Sequence, residues 1–427
     1  MSRPRGRPRA AIVVTGSELV RGERTDRNGP FLAQQALELG LEPVRIEIVG
    51  DKIVELEDAL RDGLRADLCL VSGGLGPTHD DRTVELVAKA TGRELRLVRE
   101  LEVEIETISR GVAERLRRPY TDFASGVTKQ ATLPEGAISL GLAGTAPGSV
   151  LDAGSCVVVV LPGPPGELQR LWPRALETEP VRRVLARTEP PERRVLRFFG
   201  VSESAVARAL EAAGGDGDGV EATICARDFE IHVDLYVDPG ASARAEAIAA
   251  GLREPLARYL FTEAEEPTES LVLELCRVHG LTLGTAESCT GGLVAARLTS
   301  VRGSSDVFLG SIVAYADEVK QAKLGVPVDV LERHGAVSAE TAEAMALGAR
   351  ERLGVDVAIA VTGVAGPDGG TPEKPVGLVY LHAAGPDGQL ATDFSLPGDR
   401  DSIRRRAAVS ALHLLRRLLL QSRHSPV

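Results

Sequence analysis

Lysine is scarce in this chain. Only Lys52, Lys89, Lys129, Lys320, Lys323 and Lys374 appear among 50 basic residues, and the rest are arginine. Arginine can replace lysine in a surface salt bridge but cannot deprotonate to act as a base, so each surviving lysine is a mild clue. Aromatics make up only 3% of the chain, which argues against platforms for stacking single-stranded bases. The net charge of −11 argues against nucleic acid or an anionic membrane as the main partner. No apolar run approaches the ~18 residues needed to cross a bilayer. The basic N-terminus MSRPRGRPR lacks the apolar core and cleavage site of a signal peptide and reads as a frayed tail. Cysteines number five, Cys69, Cys156, Cys225, Cys276 and Cys289, with no CxxC pair. They read as reduced, buried thiols of a cytoplasmic protein; Cys289 stands out only because it adjoins Ser288.

The chain's 427 residues suggest two or three domains at roughly 100–200 residues each. Residues 9–178 alternate short β runs with helical patterns. AIVVTG (11–16), VRIEIVG (44–50), DLCLVSGG (67–74) and CVVVVLPG (156–163) have the continuous apolar character of buried parallel strands. The stretches between them have helical spacing, which predicts an α/β sheet with helices on both faces. Ligands of such sheets sit beyond the carboxyl ends of the strands. Residues 192–261 predict a small α+β module, with one helix opened by Ser202 and an acidic glycine turn. FTEAEEPTES (261–270) is polar and acidic and reads as a linker, which predicts that a third α/β domain, 266–420, is separable from what precedes it.

The chemistry of the third domain gathers at Thr285-Ala286-Glu287-Ser288-Cys289-Thr290-Gly291-Gly292. A β run ends there and a helix begins, so backbone N–H groups at the helix N-terminus could hold an anion or a developing oxyanion while Ser288 attacks a carbonyl. Alternatively Ser288 or Thr290 merely caps the helix. A serine nucleophile needs a base. None of His279, His334, His382, His413 and His424 lies in a comparable turn. Lys320 follows the strand-like SIVAYA, and a lysine can act as base where burial or neighbouring charge favours its neutral form; it could equally be a solvated surface residue. Arg404 could supply charge or bind a phosphate. VTGVAGPDGGTPEKPVG (361–377), with Gly363, is a glycine- and proline-rich loop that would let backbone approach a ligand, or a plain surface loop.

In the first domain Gly74, Gly76, Thr78, Asp80 and Asp81 follow a buried strand and open a helix. The glycines could form a phosphate-cradling nest and the carboxylates could hold a divalent ion; a glycine turn with Asp81 as helix cap is the alternative. Thr15, Glu18, Asp26 and Asn28 would face the same crevice.

TAESCTGG, DEVK, HGAVS, VTGVAGPDGG, EKPVG and PGDRD, in that order, resemble the C-terminal domain of the CinA family, the nicotinamide-nucleotide amidases. The resemblance implies hydrolysis of nicotinamide mononucleotide to nicotinic acid mononucleotide and ammonia, without a metal. It implies Ser288 as nucleophile and Lys320 as base, with Tyr315, Thr290 and Arg404 in the site and Gly291, Gly292 and Gly363 along the substrate. The family often has Ser-Asn where this chain has Ala316-Asp317, so no polar role carries over to those two side chains.

The first domain, with KQATLPEGA, GTAPG and LPGPPGEL, resembles the family's N-terminal domain, which has the molybdopterin-binding fold. In some relatives it is associated with metal-dependent ADP-ribose pyrophosphatase activity, which would place a divalent metal on Asp80, Asp81 and Glu18. The family's Asp-Thr-Asn element appears only as Thr25-Asp26-Arg27-Asn28. The middle segment resembles a KH-like module, but the acidic surroundings of its GGDG (214–217) would repel phosphates and argue against RNA. A homodimer is implied by resemblance alone. The expected partners are therefore pyridine and adenine nucleotides. Three functions compete: a bifunctional salvage enzyme, an amidase with a pterin- or nucleotide-binding N-terminal domain, and a non-enzymatic competence accessory protein.

Overall fold

The computed structural model describes residues 7–421, apart from the side chains of Asp122 and Ser125. The basic tail at residues 1–6 and His424 lie outside the described residues. The chain is α/β throughout and divides into two compact units between Glu192 and Arg193.

The N-terminal unit carries β1 (Arg9–Thr15), β2 (Glu42–Val49), β3 (Leu68–Ser72), β4 (Leu95–Leu97), β5 (Thr132–Pro134), β6 (Ile138–Leu142), β7 (Pro147–Asp152) and β8 (Val157–Leu161). Six form one sheet in the order β2-β1-β3-β8-β7-β6. Strands β1, β2, β3 and β8 run parallel; β1, β3 and β8 are buried as their apolar runs predict, but β2, expected to be buried, is an edge strand of alternating charged residues with Ile46 and Ile48 exposed. Strands β7 and β6 add an antiparallel edge. Ile12, Val14, Leu68, Leu70, Val157 and Val159 face one helical layer, while Val13, Cys69, Val71, Val158 and Val160 face the other. Alternate residues of each central strand thus enter opposite cores.

The second unit holds two sheets. β9 (Glu192–Phe199), β10 (Val220–Arg227), β11 (Glu230–Val237) and β12 (Leu260–Thr262) form the middle module in the order β10-β11-β9-β12. Ser202 accepts from the Ala205 amide and opens helix Glu203–Ala212 as expected. In the GGDG turn, Arg244 donates to the carbonyls of Gly214, Gly215 and Gly217, closing the loop on itself.

The C-terminal domain has β13 (Leu283–Glu287), β14 (Phe308–Val313), β15 (Val357–Gly363), β16 (Leu378–Gly385) and β17 (Gly388–Ser395), in the order β14-β13-β15-β16-β17. Strand β13 runs parallel to both neighbours, and helix Arg400–Gln421 covers one face.

The acidic segment at 261–270 is not a free tether. Glu263 pairs with Arg253 and Glu265 with Arg193. Thr268, buried, already opens the next helix and donates to Glu230 of the middle module at 2.7 Å. Middle module and C-terminal domain therefore share one compact unit, joined rather than tethered at 261–270.

Candidate active site

Ser288 follows directly on β13, at the carboxyl end of the sheet, and its amide donates to the Val361 carbonyl of β15. The next turn is left-handed at Gly291 (φ 60°) and Gly292 (φ 97°), which is why glycine is needed there. The N–H groups of helix Leu293–Ser300 do not stand open. The buried Glu287 carboxylate accepts from the amides of Gly292 at 2.9 Å, Val294 at 3.1 Å and Ala295 at 2.9 Å. An acidic group on a helix N-terminus is well matched in charge. The expectation that this N-terminus, Gly292 included, holds a substrate oxyanion is therefore corrected, because its donors already serve Glu287. The amides of Cys289 and Thr290 face the Cys289 sulfur and donate to no carbonyl or carboxylate among the described residues. Neither Ser288 nor Thr290 caps the helix; Gly292 occupies the cap position. The Thr290 hydroxyl is buried without a hydrogen-bond partner.

Lys320 is 1% exposed, so it is no solvated surface residue. It lies on helix Asp317–Leu324, which follows β14, and β14 pairs with β13 in a register that sets Val313 beside Glu287. Its Nζ donates to the Tyr315 carbonyl at 3.1 Å and to Asp317 Oδ1 at 3.2 Å; Ser288 is not among its hydrogen-bond partners. Asp317 thus has a polar role that the family comparison of this dipeptide withheld. Catalytic hydrogen bonds commonly tighten only when substrate binds.

Arg404 does not stand free for a phosphate. Its guanidinium donates to the carbonyls of Cys289 at 3.1 Å and Thr290 at 2.9 Å, so it holds the Ser288 loop in place. One helical turn earlier, Arg400 donates to the Gly366 carbonyl at 2.6 Å and the Tyr315 hydroxyl at 2.8 Å. It has no carboxylate partner among the described residues. Gly363 has a packing reason: a Cβ there would meet the Leu378 carbonyl at 2.7 Å. Burial pushes the neighbouring Cys289 thiol up to about 12, which leaves it a poor nucleophile.

Ser288, Thr290, Tyr315, Lys320 and Arg404 are thus gathered where β13, β14 and the start of helix Arg400–Gln421 meet. Sequence reading missed Glu287, Asp317 and Arg400. Glu287 and Arg400 stand within the motifs TAESCTGG and PGDRD, and an acidic residue just ahead of a helix start was the available signal for Glu287.

The residues singled out in the N-terminal unit separate into two places. A 650 Å³ cavity at the carboxyl ends of β1, β3 and β8 is lined by Thr15, Glu18, Asp26, Asn28, Ser72 and Gly163, among others. Asp26 caps helix Asn28–Glu38 through the amides of Asn28 and Gly29. Asn28 donates to Ser72 and the Gly163 carbonyl, and its own Oδ1 is buried and unpartnered. Gly74, Gly76 and Asp81 line a separate 180 Å³ cavity. Close packing explains those glycines, since a Cβ would meet Thr83 Oγ1 at 2.2 Å from Gly74 and Asp81 Oδ2 at 2.4 Å from Gly76. Asp81 caps no helix; its carboxylate accepts from the Thr78 amide and hydroxyl. The Thr78 hydroxyl also helps hold the Asp80 carboxyl below the usual range. Among the described residues no three His, Cys, Asp or Glu side chains come together to hold a metal ion. Glu18, Asp80 and Asp81 therefore do not fit a shared, preformed metal site.

Residues 265–419 match the family model described as the CinA C-terminal domain, and residues 11–180 match that of a "Probable molybdopterin binding domain". A CinA-like protein of Mycolicibacterium vanbaalenii is 44% identical over 418 residues, 96% of this chain and 98% of that protein. A CinA-like protein of Mycobacterium tuberculosis is 44% identical over 421 residues, 96% of this chain and 97% of that protein. Among solved structures, the competence/damage inducible protein CihA of Agrobacterium tumefaciens is 39% identical, with a TM-score of 0.34, over 38% of this chain and all of that one. The protein CinA of Thermoplasma acidophilum is 30% identical, with a TM-score of 0.36, over 41% of this chain and 99% of that one. No helix among the described residues is long and apolar enough to cross a membrane.

Proposed function

This chain belongs to the CinA family, and from that premise we propose that its C-terminal domain hydrolyses the carboxamide of nicotinamide mononucleotide to the carboxylate and ammonia. The observation that supports the reading is Lys320, 1% exposed on the helix that follows β14, in a chain with only six lysines among its 50 basic residues. Ser288 Oγ attacks the carboxamide carbon, and Lys320, entering the step as the neutral amine, takes the hydroxyl proton. The oxyanion forms against the Cys289 and Thr290 amides and the unpartnered Thr290 hydroxyl. Lys320 then passes its proton to the leaving nitrogen, and ammonia departs. Water, activated by the same lysine, cleaves the acyl-serine ester and restores Ser288. Arg404 keeps the loop in shape throughout, and exposed Arg400 and Tyr315 are placed to meet the substrate's anionic end.

The test is ammonia release from nicotinamide mononucleotide by the full chain, with Ser288→Ala as control. Release that disappears in the variant supports the reading; a wild-type protein that releases none overturns it.

A second reading concerns the N-terminal unit. The 650 Å³ cavity with its buried, half-satisfied Asn28 favours binding of a nucleotide or pterin. Metal-dependent ADP-ribose hydrolysis is the alternative, and no carboxylate cluster among the described residues supports it. Incubation with ADP-ribose, with and without divalent ions, separates the two: hydrolysis that needs the ion would make this unit catalytic.

A further inference from the structure

Residues 181–264 lie between the two family matches and have no part in the chemistry above. Within them the β10–β11 hairpin turns at Asp228 and Phe229, whose φ angles of 48° and 79° are both left-handed. A two-residue hairpin of this kind favours Asp-Gly or Asn-Gly. Aspartate suits the first position, but phenylalanine occupies the place of glycine. A bulky residue in that conformation persists only where its surroundings hold it.

The surroundings include the two helices that bound the Ser288 loop. The Phe229 ring meets Phe394 of β17 and Phe199 of β9 edge-on, each at 6.4 Å, and the Arg406 guanidinium lies 5.7 Å from its centre. Asp228 faces Arg405 at 3.6 Å and Arg297 at 4.0 Å. Further along helix Arg400–Gln421, Glu230 accepts from His413 at 2.7 Å and Arg416 donates to the Phe261 carbonyl at 2.8 Å. This helix also carries Arg400 and Arg404, which hold Tyr315 and the nucleophile loop. Arg297 belongs to helix Leu293–Ser300, whose first amides bind Glu287. Both helices that bound the Ser288 loop thus meet the same hairpin turn.

We propose that the Asp228–Phe229 turn is a positioning element for the nucleophile loop, clamping helices Leu293–Ser300 and Arg400–Gln421 and, through Arg404, fixing Ser288. Its catalytic consequence rests on the amidase reading; the clamp itself does not.

Phe229→Gly tests it, because Asp-Gly is the better hairpin turn. If the residue only closes the hairpin, the variant is as stable as wild type or more so, with unchanged turnover. If it clamps, kcat for nicotinamide mononucleotide falls roughly 10- to 100-fold, the scale of a small misplacement of reacting groups, while KM moves little. The amides of Gly292, Val294 and Ala295 then exchange hydrogen faster, while those of β10 and β11 stay protected. Phe229→Tyr restores wild-type behaviour. Asp228→Asn keeps the turn preference, loses the charge facing Arg297 and Arg405, and shifts exchange in the same direction by less. This variant decides the matter if Phe229→Gly does not fold. Wild-type turnover and wild-type exchange at 292–295 in Phe229→Gly, or in Asp228→Asn where that variant alone is available, would overturn the proposal. If wild type releases no ammonia, the amidase reading has failed and the exchange result alone judges the clamp.

Discussion

At the scale of single residues, the site depends on side chains whose partners are fixed. Lys320 tests this most directly. Arginine at this position keeps the charge yet cannot accept the serine proton. Lys320→Arg should therefore lose as much turnover as Lys320→Ala, about 10²–10⁴-fold, the usual scale for a general base. Ser288→Ala combined with Lys320→Ala should cost little more than Ser288→Ala alone, since a base without its nucleophile has no task. Steady-state ammonia release on the four variants checks both points, and strong activity in Lys320→Arg would assign the base to another group. Glu287 gives a second case. Its carboxylate accepts from three amides, and hydrogen bonds to a charged group contribute about 1.5–3 kcal/mol each. Glu287→Gln sets an NH₂ against those donors, so we expect about 2 kcal/mol or more of lost stability in chemical denaturation. Ser288, Lys320 and Tyr315 were legible in the sequence as residue types in a recognisable order. Glu287 and Arg404 were not legible in their roles. Hydrogen bonds reaching across 5–8 residues, or across 114 and 115 in the case of Arg404, leave no mark in local spacing.

At the scale of elements, apolar runs such as Val157–Leu161 and Val357–Gly363 identified the central strands because both their faces are buried. Edge elements carried no such mark. Strand β17 alternates between exposed and half-buried residues. In helix Arg99–Leu116, Leu101, Val103 and Ile105 alternate with glutamates like a strand, yet Val103 is 64% exposed while Leu101 and Ile105 are buried. The face that packs is the i, i+4 pair. The joint between the middle module and helix Arg400–Gln421 was equally hidden, because His413 sits in an apolar stretch and meets its partners only in the folded chain. Its ring stacks on Phe199 at 3.8 Å and meets Phe261 edge-on at 4.7 Å. Burial pushes the imidazole below its usual range, against the pull of Glu230 and with Arg416 and Arg297 nearby. Burial would raise the Glu230 carboxyl, but hydrogen bonds from His232, His413 and Thr268 outweigh it and hold the group well below the usual carboxylate range. Both shifts have the same sign for stability. Below about pH 6.5 the unfolded chain binds a proton at His413 that the folded chain refuses. Nearer pH 4.5 and below, the unfolded chain also protonates Glu230 while the folded one does not. Thermal or urea unfolding should therefore show stability falling from pH 7 to pH 5, by at most about 1.4 kcal/mol per pH unit for one proton. In His413→Gln that slope should flatten, and an unchanged slope would place the titrating group elsewhere.

At the scale of the whole molecule, composition and alternation made the α/β class and three segments of chain legible, but not their grouping into two units. The segment 261–270 has the acidity and proline of a tether, and composition cannot say whether acidic residues meet arginines. Here Glu263 and Glu265 do, and the next helix begins buried at Thr268. The consequence concerns truncation. A fragment starting at Glu266 removes Phe199, Phe229, Glu230 and Phe261, the partners of His413, Arg406 and Arg416. Aromatic contacts are worth about 0.5–1.5 kcal/mol each and hydrogen bonds about 1 kcal/mol each. The fragment should then be roughly 3 kcal/mol less stable than one starting at Arg193, which keeps the joint. At about 2–4 °C per kcal/mol for domains of this size, that is a Tm lower by roughly 6–12 °C. Calorimetry on the two fragments, with ammonia release measured on both, checks the expectation. Equal melting temperatures and equal turnover would mean that the C-terminal domain is complete from Glu266 onward and that the middle module contributes nothing to its site.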